Sequence, residues 1–274
     1  MTARFLLPLI LFQALPACLV SQATREQCGQ RASAPRLDHV ILVVPNLDAA
    51  RAQLAPLGFR FKAGRLHQDS LLNLHIKFRG GTEIELMTLA GRPGDANARD
   101  YAELLADGAG GAYVALLASD LDSVAAVATR AGLIPRRSAS GSWRFLSFPS
   151  PSAARAVFFG SGWIAPAEPD SILDHPNGVR DLDQAWVEGG GRLDTLLSAL
   201  GAVPCDSVVL PDGRRGRRWN LSRGSIVIVR PAAATTLLRP IGVLLRAPGR
   251  KAARPILALP GFWLGFVPGD SNGS

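Results

Sequence analysis

Four histidines, one glutamate on an alternating strand and a few amides are the side chains here whose type and setting suit chemistry. His39 stands in a short apolar run, Leu37-Asp38-His39-Val40-Ile41-Leu42-Val43-Val44. A histidine in such a strand either lines a site or is a hydrogen-bonded core residue. Glu85 alternates with Ile84 and Leu86 and therefore faces the side opposite to theirs. If that side is solvent, Glu85 is a surface charge. If it points inward, the carboxylate needs a metal or another cation to offset its desolvation. His67 lies beside Gln68 and Asp69 in a polar stretch. It is either a solvated loop residue or a base at a cleft wall, and it is the candidate catalytic residue. Asn73 reads as a structural or substrate-binding amide. His175 precedes Pro176-Asn177-Gly178, a turn signal, so it either stabilises a turn or contacts substrate. His75, between Leu74 and Ile76, reads as exposed. No Gly-x-Ser-x-Gly elbow occurs, Gly189-Gly190-Gly191 lacks the spacing of a phosphate-cradling loop, and the three cysteines lack zinc-finger spacing.

The elements that must position these residues follow a repeating order. Leu37 to Val44, bounded by Pro35 and Pro45, reads as a strand. Asp48 is expected to cap a short helix over 49–54, closed by Gly58. Phe59 to Phe61, Leu74 to Phe78 and Glu83 to Met87 alternate as strands, with a Gly80-Gly81 turn before the last. The unit is βαβββ. It recurs as a strand over 112–117, a helix over 121–131 capped by Asp120, and strands over 143–148 and 156–159. A third copy has a strand over 182–187, a helix over 192–200, and strands over 208–210, 217–221 and 225–229. The modules therefore span about 36–91, 112–160 and 182–230, followed by a basic extension over 231–274 with strand candidates at 241–245 and 263–266. A single unit leaves one sheet face unburied, so units must pair around a shared cleft. The fold class expected is α+β: repeated βαβββ modules pairing into curled mixed sheets around a cleft.

Composition narrows the function classes. With 274 residues, 47% hydrophobic and 19% charged, the chain is a packed globule rather than a disordered one. No apolar run reaches the ~18 residues of a membrane span, which excludes a polytopic membrane protein. The net charge of +8 is uneven: residues 212–274 hold eleven basic side chains against Asp212 and Asp270. Such a segment suits phosphates, an anionic membrane face or an acidic ligand, and equally a set of solvated arginines. Only Trp219 supplies an aromatic beside the arginine pairs, so nucleic acid is not an expected partner. Met1 to Ala23 reads as an export signal, with Arg4 ahead of an apolar stretch and small residues at its end. Residues 24–35 then form a linker. A competing cleavage before Cys18, in Leu15-Pro16-Ala17-Cys18, resembles a lipoprotein box and would tether the protein to a membrane through Cys18. The protein is thus expected to be periplasmic or membrane-anchored, or cytoplasmic if the true start lies downstream. Export would put Cys28 and Cys205 where a disulfide is allowed; two unrelated thiols fit the sequence as well.

Leu37-Asp38-His39-Val40, Leu57-Gly58-Phe59, Gly64-Arg65-Leu66-His67, Asn73 and Gly81-Thr82-Glu83-Ile84-Glu85-Leu86 resemble the vicinal oxygen chelate superfamily. Within it they are most similar to the glyoxalase-like domain family, as is His175-Pro176-Asn177-Gly178. The resemblance implies paired βαβββ modules around a divalent metal, held by a first-strand His, a fourth-strand Glu and two ligands from the partner module. Here those would be His39 and Glu85, a pair suited to Zn, Fe, Mn or Ni with open positions for substrate oxygens. With the third module as partner, Gln184 takes the His39 position as the further metal ligand, and Ile228 takes that of Glu85. With the second, Tyr113 and the Phe158-Phe159 strand take them. Either pairing leaves the ligand set incomplete. The implied function is a metal-dependent lyase, isomerase or dioxygenase acting on a small oxygen-rich substrate; the alternative is a non-catalytic protein that binds or sequesters a small ligand. The expected partners are that small molecule and a second copy of the chain in a homodimer.

Overall fold

The computed structural model describes residues 28–67, 69–162, 167–233 and 237–269; the export signal and Cys18 lie outside them. The first module runs β1 (Arg36–Val43), α1 (Leu47–Leu54), β2 (Lys62–Leu66), β3 (Leu71–Lys77) and β4 (Glu83–Leu89). A connecting helix, α2 (Ala96–Ala106), leads to the second: β5 (Gly110–Leu117), α3 (Leu121–Arg130), β6 (Arg136–Ser140), β7 (Trp143–Ser147) and β8 (Val157–Ser161). After a short α4 (Asp170–Leu173), the third comprises β9 (Asp181–Glu188), α5 (Gly191–Ala199), β10 (Val203–Val209), β11 (Arg215–Asn220) and β12 (Ser225–Val229). Three strands follow: β13 (Pro240–Pro248), β14 (Ala253–Leu259) and β15 (Phe262–Gly269).

These strands make two curled sheets, each a half-barrel. One has the order β2-β3-β4-β1-β5-β8-β7-β6 and the other β10-β11-β12-β9-β13-β15-β14. Modules join through their first strands: β1 runs antiparallel to β5, and β9 antiparallel to β13. Residues 240–269 are therefore a shortened fourth module completing the second sheet, with no helix between β13 and β14. The two joints carry matching β-bulges. Asp38 is the extra residue between Leu37 and His39 where β1 faces β5, and Asp183 is the extra residue between Leu182 and Gln184 where β9 faces β13.

Alternation along the strands divides the core. Val40, Leu42, Ile84 and Leu86 of the first sheet share one hydrophobic core with Ala185, Val187, Ile226 and Ile228 of the second. The opposite face of the first sheet holds Ile41, Val43, Met87 and Tyr113 against Ala98, Tyr101 and Leu104 of α2. The central strands are thus covered on both faces. Ion pairs and hydrogen bonds add ties across the halves: Thr82 Oγ1 donates to Asp181 at 2.5 Å, and the Leu37 amide donates to the Arg223 carbonyl at 3.0 Å.

Several local expectations shift. The α1 cap is Asn46, whose side-chain oxygen accepts from the Ala49 amide at 2.8 Å; Asp48 sits in the first turn, where the helix dipole favours an acid. Phe59 to Phe61 precede β2 rather than forming it, because a 3-10 turn over Ala55–Leu57 and a left-handed Gly58 delay the strand and drop Phe59 into the core. The polar edge strand β6 had no apolar alternation to announce it, since an edge is solvated. Five arginines of the basic segment are paired: Arg214 with Glu188, Arg218 with Asp206, Arg223 with Asp181, Arg239 with Asp107 and Arg246 with Asp183. Cys28 and Cys205, 177 apart in sequence, form a disulfide with Cα atoms 5.9 Å apart.

Candidate functional site

Three neighbouring strands, β3, β4 and β1, bring a set of polar side chains to the covered face of the first sheet. The register pairs His39 with Glu83 and His75 with Glu85, and Asn73 lies two residues before His75 on the same face. The bulge at Asp38 turns its carboxylate back onto its neighbour, so Oδ2 lies 2.7 Å from His39 Nδ1. His39 Nε2 points to Glu85, with Oε2 3.8 Å away. Glu85 Oε1 accepts from Asn73 Nδ2 at 2.7 Å, and Asn73 Oδ1 accepts from the Arg65 amide at 2.7 Å. That last contact requires Gly64: a Cβ there would stand 1.9 Å from Asn73 Oδ1. Glu83 pairs with Lys77 and lies 3.5 Å from His75 Nδ1. His39, Glu85 and Asn73 are all buried.

The charges balance within this cluster. Burial alone would lower the basicity of His39, but its hydrogen bond to Asp38 and the charges of Asp38, Glu83 and Glu85 outweigh that and push its pKa up to about 9. Burial would raise Glu83; the nearby His75 and the positive charges of His39 and Lys77 outweigh that and hold it down at about 2. Glu85 is thus an inward carboxylate, and protonated His39 together with Lys77 supply the positive charge that a group of buried acids demands.

The second module closes the site with rings. Tyr113 stands at the position in β5 that His39 holds in β1, and Phe158 at the position in β8 that Glu85 holds in β4. Phe158 meets His39 edge-on at 5.7 Å between centroids, and Tyr113 in turn meets Phe158 edge-on at 6.2 Å. The donors that meet are therefore His39 Nε2 and Glu85 Oε2, with aromatic carbon where two further ligands would stand. Among the described residues no three His, Cys, Asp or Glu side chains are grouped to hold a metal ion. A protein-held divalent ion takes three or more side-chain donors as a rule, so this set does not fit one.

The structure gathers Asn73, His39 and Glu85 and separates the rest. Gln184 is not beside His39. It lies in the second sheet on the face carrying Trp186, its Nε2 donating to Ser225 Oγ at 3.1 Å and its Oε1 accepting from Trp186 Nε1 at 2.7 Å. The expected metal trio His39, Glu85 and Gln184 therefore does not assemble, because the shared core stands between the two sheets. Register also puts Val227, not Ile228, at the position equivalent to Glu85, since Trp186 pairs with Val227 as Ile41 pairs with Glu85. His67 sits at the β2–β3 turn, its amide donating to the Leu71 carbonyl. Leu71 pairs with Leu89, so His67 lies beyond a point four residues along β4 from Glu85, about 13 Å of strand. His175 is buried between Phe59 and Phe78 at the junction with the third module. Its Nδ1 accepts from the Arg60 amide at 2.9 Å, so Nε2 carries the proton and donates to the Lys77 carbonyl at 2.8 Å. Burial, ahead of the nearby Arg60 charge, lowers its pKa despite the Lys77 contact. Sequence reasoning missed Glu83, His75 and Lys77 on the site face, although Glu83 and His75 share the parity of Glu85 and Asn73. It also missed α2, whose Tyr101 packs edge-on against Tyr113 at 5.3 Å.

Comparison with known proteins bears on the family and the fold. The family model described as the glyoxalase-like domain matches residues 37–193. No protein with a curated description matches. Among solved structures, a hypothetical protein from Staphylococcus aureus is similar over 85% of this chain and 99% of its own, at 15% identity and a TM-score of 0.58. A mutant of 4-hydroxymandelate synthase from Streptomyces coelicolor is similar over 78% of this chain and 71% of its own, at 14% identity and a TM-score of 0.52. A catechol 2,3-dioxygenase is similar over 88% of this chain and 96% of its own, at 13% identity and a TM-score of 0.50. At such identities the likeness is one of fold.

Proposed function

This chain belongs to the glyoxalase-like domain family of the vicinal oxygen chelate superfamily, and we propose that it binds a small oxygen-bearing molecule in its first half-barrel without metal-assisted turnover. The observation that carries this reading is the pairing of His39 and Glu85 with Tyr113 and Phe158 in place of two more ligands. Protonated His39 offers a donor, Glu85 and Asn73 are fixed against one another, and the rings give a flat ligand an apolar wall. A metal-dependent lyase, isomerase or dioxygenase remains the second reading. It is favoured by the placing of His39 and Glu85 on adjacent strands, 3.8 Å apart. We further propose an exported protein. The Cys28–Cys205 disulfide supports this, because such bonds persist in oxidising compartments. Among the described residues no helix is long and apolar enough to cross a membrane. Acylation of Cys18, in Leu15-Pro16-Ala17-Cys18, is the proposed alternative to a freely released protein. The partner class is a small molecule, not nucleic acid, with a homodimer open to test by sedimentation.

The test is a panel of catechols, epoxides and α-keto aldehyde adducts incubated with the purified chain. Thermal shifts that vanish in His39→Ala, with no product formed, are the expected result. Product formed in the presence of Zn, Fe, Mn or Ni and lost in His39→Ala would replace the binding reading with the enzymatic one.

A further inference from the structure

We infer that the first half-barrel takes a carboxylate-bearing aromatic ligand, and that helix α2 occupies that ligand's place with a carboxylate of its own, Glu103. This rests on reading that cleft as a ligand site. Arg155 is the largest fully buried side chain, 1% exposed. It lies just before β8 on the cleft side, its guanidinium carbon 5.9 Å from the centroid of the Tyr113 ring. Nη2 donates to Glu103 Oε2 at 3.2 Å, and Nη1 is buried with no hydrogen-bond partner. A guanidinium fork matches both oxygens of a carboxylate, and a buried N–H left empty carries the full desolvation penalty. The fork is therefore half filled.

The helix that half fills it is held by the same chemistry along its length. Asp100 pairs with Arg136 at 2.5 Å and the C-cap residue Asp107 with Arg239 at 3.1 Å, so three arginines from outside the first module hold two acids of the helix and the acid that caps it. Between those acids, Tyr101 and Leu104 press an aromatic ring and an aliphatic chain into the cleft. Acid beside ring is the chemistry of an aromatic carboxylate. Glu103 is 47% exposed and returns to water at small cost, whereas Arg155 cannot follow it. A ligand carboxylate engaging both Nη atoms would supply the bond that Glu103 leaves unmade, with its ring against Tyr113 and Phe158.

The probes are sodium benzoate and its neutral counterpart benzamide, titrated calorimetrically into the full chain. Benzoate is expected to bind at least tenfold more tightly than benzamide. Glu103→Gln, which removes the competing carboxylate, is expected to tighten benzoate binding roughly tenfold. Arg155→Met is expected to abolish it, and if that variant fails to fold, Glu103→Gln still decides. Equal binding of the two probes, or unchanged benzoate affinity in Glu103→Gln, would overturn the inference. If only neutral probes bind, and do so in a His39-dependent way, this inference falls while the ligand-site reading stands. If no probe binds any variant, this inference falls, and the ligand-site reading is decided by the panel of catechols, epoxides and α-keto aldehyde adducts.

Discussion

The two half-barrels share a plan and differ in what their guarded faces keep. Leu37-Asp38-His39 and Leu182-Asp183-Gln184 each bulge at the aspartate, each in a first strand that runs antiparallel to the next module. In the first half, the residue after the bulge is an imidazole facing Glu85, and the neighbouring strands add Asn73, Glu83 and His75. In the second, Gln184 is satisfied by Ser225 and Trp186, and Val227 fills the acid's position. The bulged Asp183 pairs with Arg246 instead of an adjacent ring. The lesson is that the architecture depends on the shared apolar core and the strand register, both present in each half. The chemistry depends on side chains of the opposite faces, where one half is apolar and self-satisfied and the other holds a His–Glu pair. A shared fold therefore does not fix the site it frames.

The largest effect should come from testing whether the halves are one cooperative unit. Phe159, fully buried in the shared core, cut to alanine should cost about 3–5 kcal/mol and shift a single urea transition followed by tryptophan fluorescence. Two separated transitions would mean that the halves fold independently. Next is the charge cluster, present only in the first half. Its histidine has a folded pKa of about 9, above the ordinary 6.5, so the stability it contributes is complete below pH 6.5 and is lost as pH rises through 9. The contribution is about 3 kcal/mol by that shift. Melting curves from pH 6 to 10 should show this decline in the native chain and not in His39→Gln. A smaller loss, about 1–3 kcal/mol, is expected for Gln184→Ala, which strands Trp186 Nε1 and Ser225 Oγ. Ligand binding should be untouched; a loss of binding in Gln184→Ala would erase the functional contrast between the halves. The smallest effect concerns His175, kept neutral at the junction. Its folded pKa is lowered, so its contribution is complete above 6.5 and is lost as pH falls through the folded value. The acid limb of the melting series should be shallower in His175→Gln.

Much of this contrast can be read from sequence wherever a strand has a buried face on a regular period. β1, β4, β9 and β12 follow from their apolar runs, and Tyr113 and Phe158 fall where module alignment puts them. What escapes is non-local. Residues 96–106 carry a helix whose Asp95 cap and buried Ala98, Tyr101 and Leu104 make sense only against the cleft they cover. Gln184 resembles a ligand by position, and only the sheet assignment shows that a core divides it from His39. The eleven basic residues after 211 read as a charged surface, yet five arginines find carboxylates brought to them by the fold. The equivalence of Val227 to Glu85 needed strand register, which a one-residue slip in sequence alignment reverses face by face.

Beside His39 and Glu85, the rings of Phe158 and Tyr113 hold the strand positions from which ligands would complete a metal centre. Calorimetric titration of Zn, Mn and Ni into the native chain, beside the double variant Tyr113→His with Phe158→Glu, tests it most directly. The native chain is expected to show no His39-dependent stoichiometric binding, and the double variant to show it once the two donors are installed. One tightly bound ion per native chain, lost in His39→Ala, would contradict it.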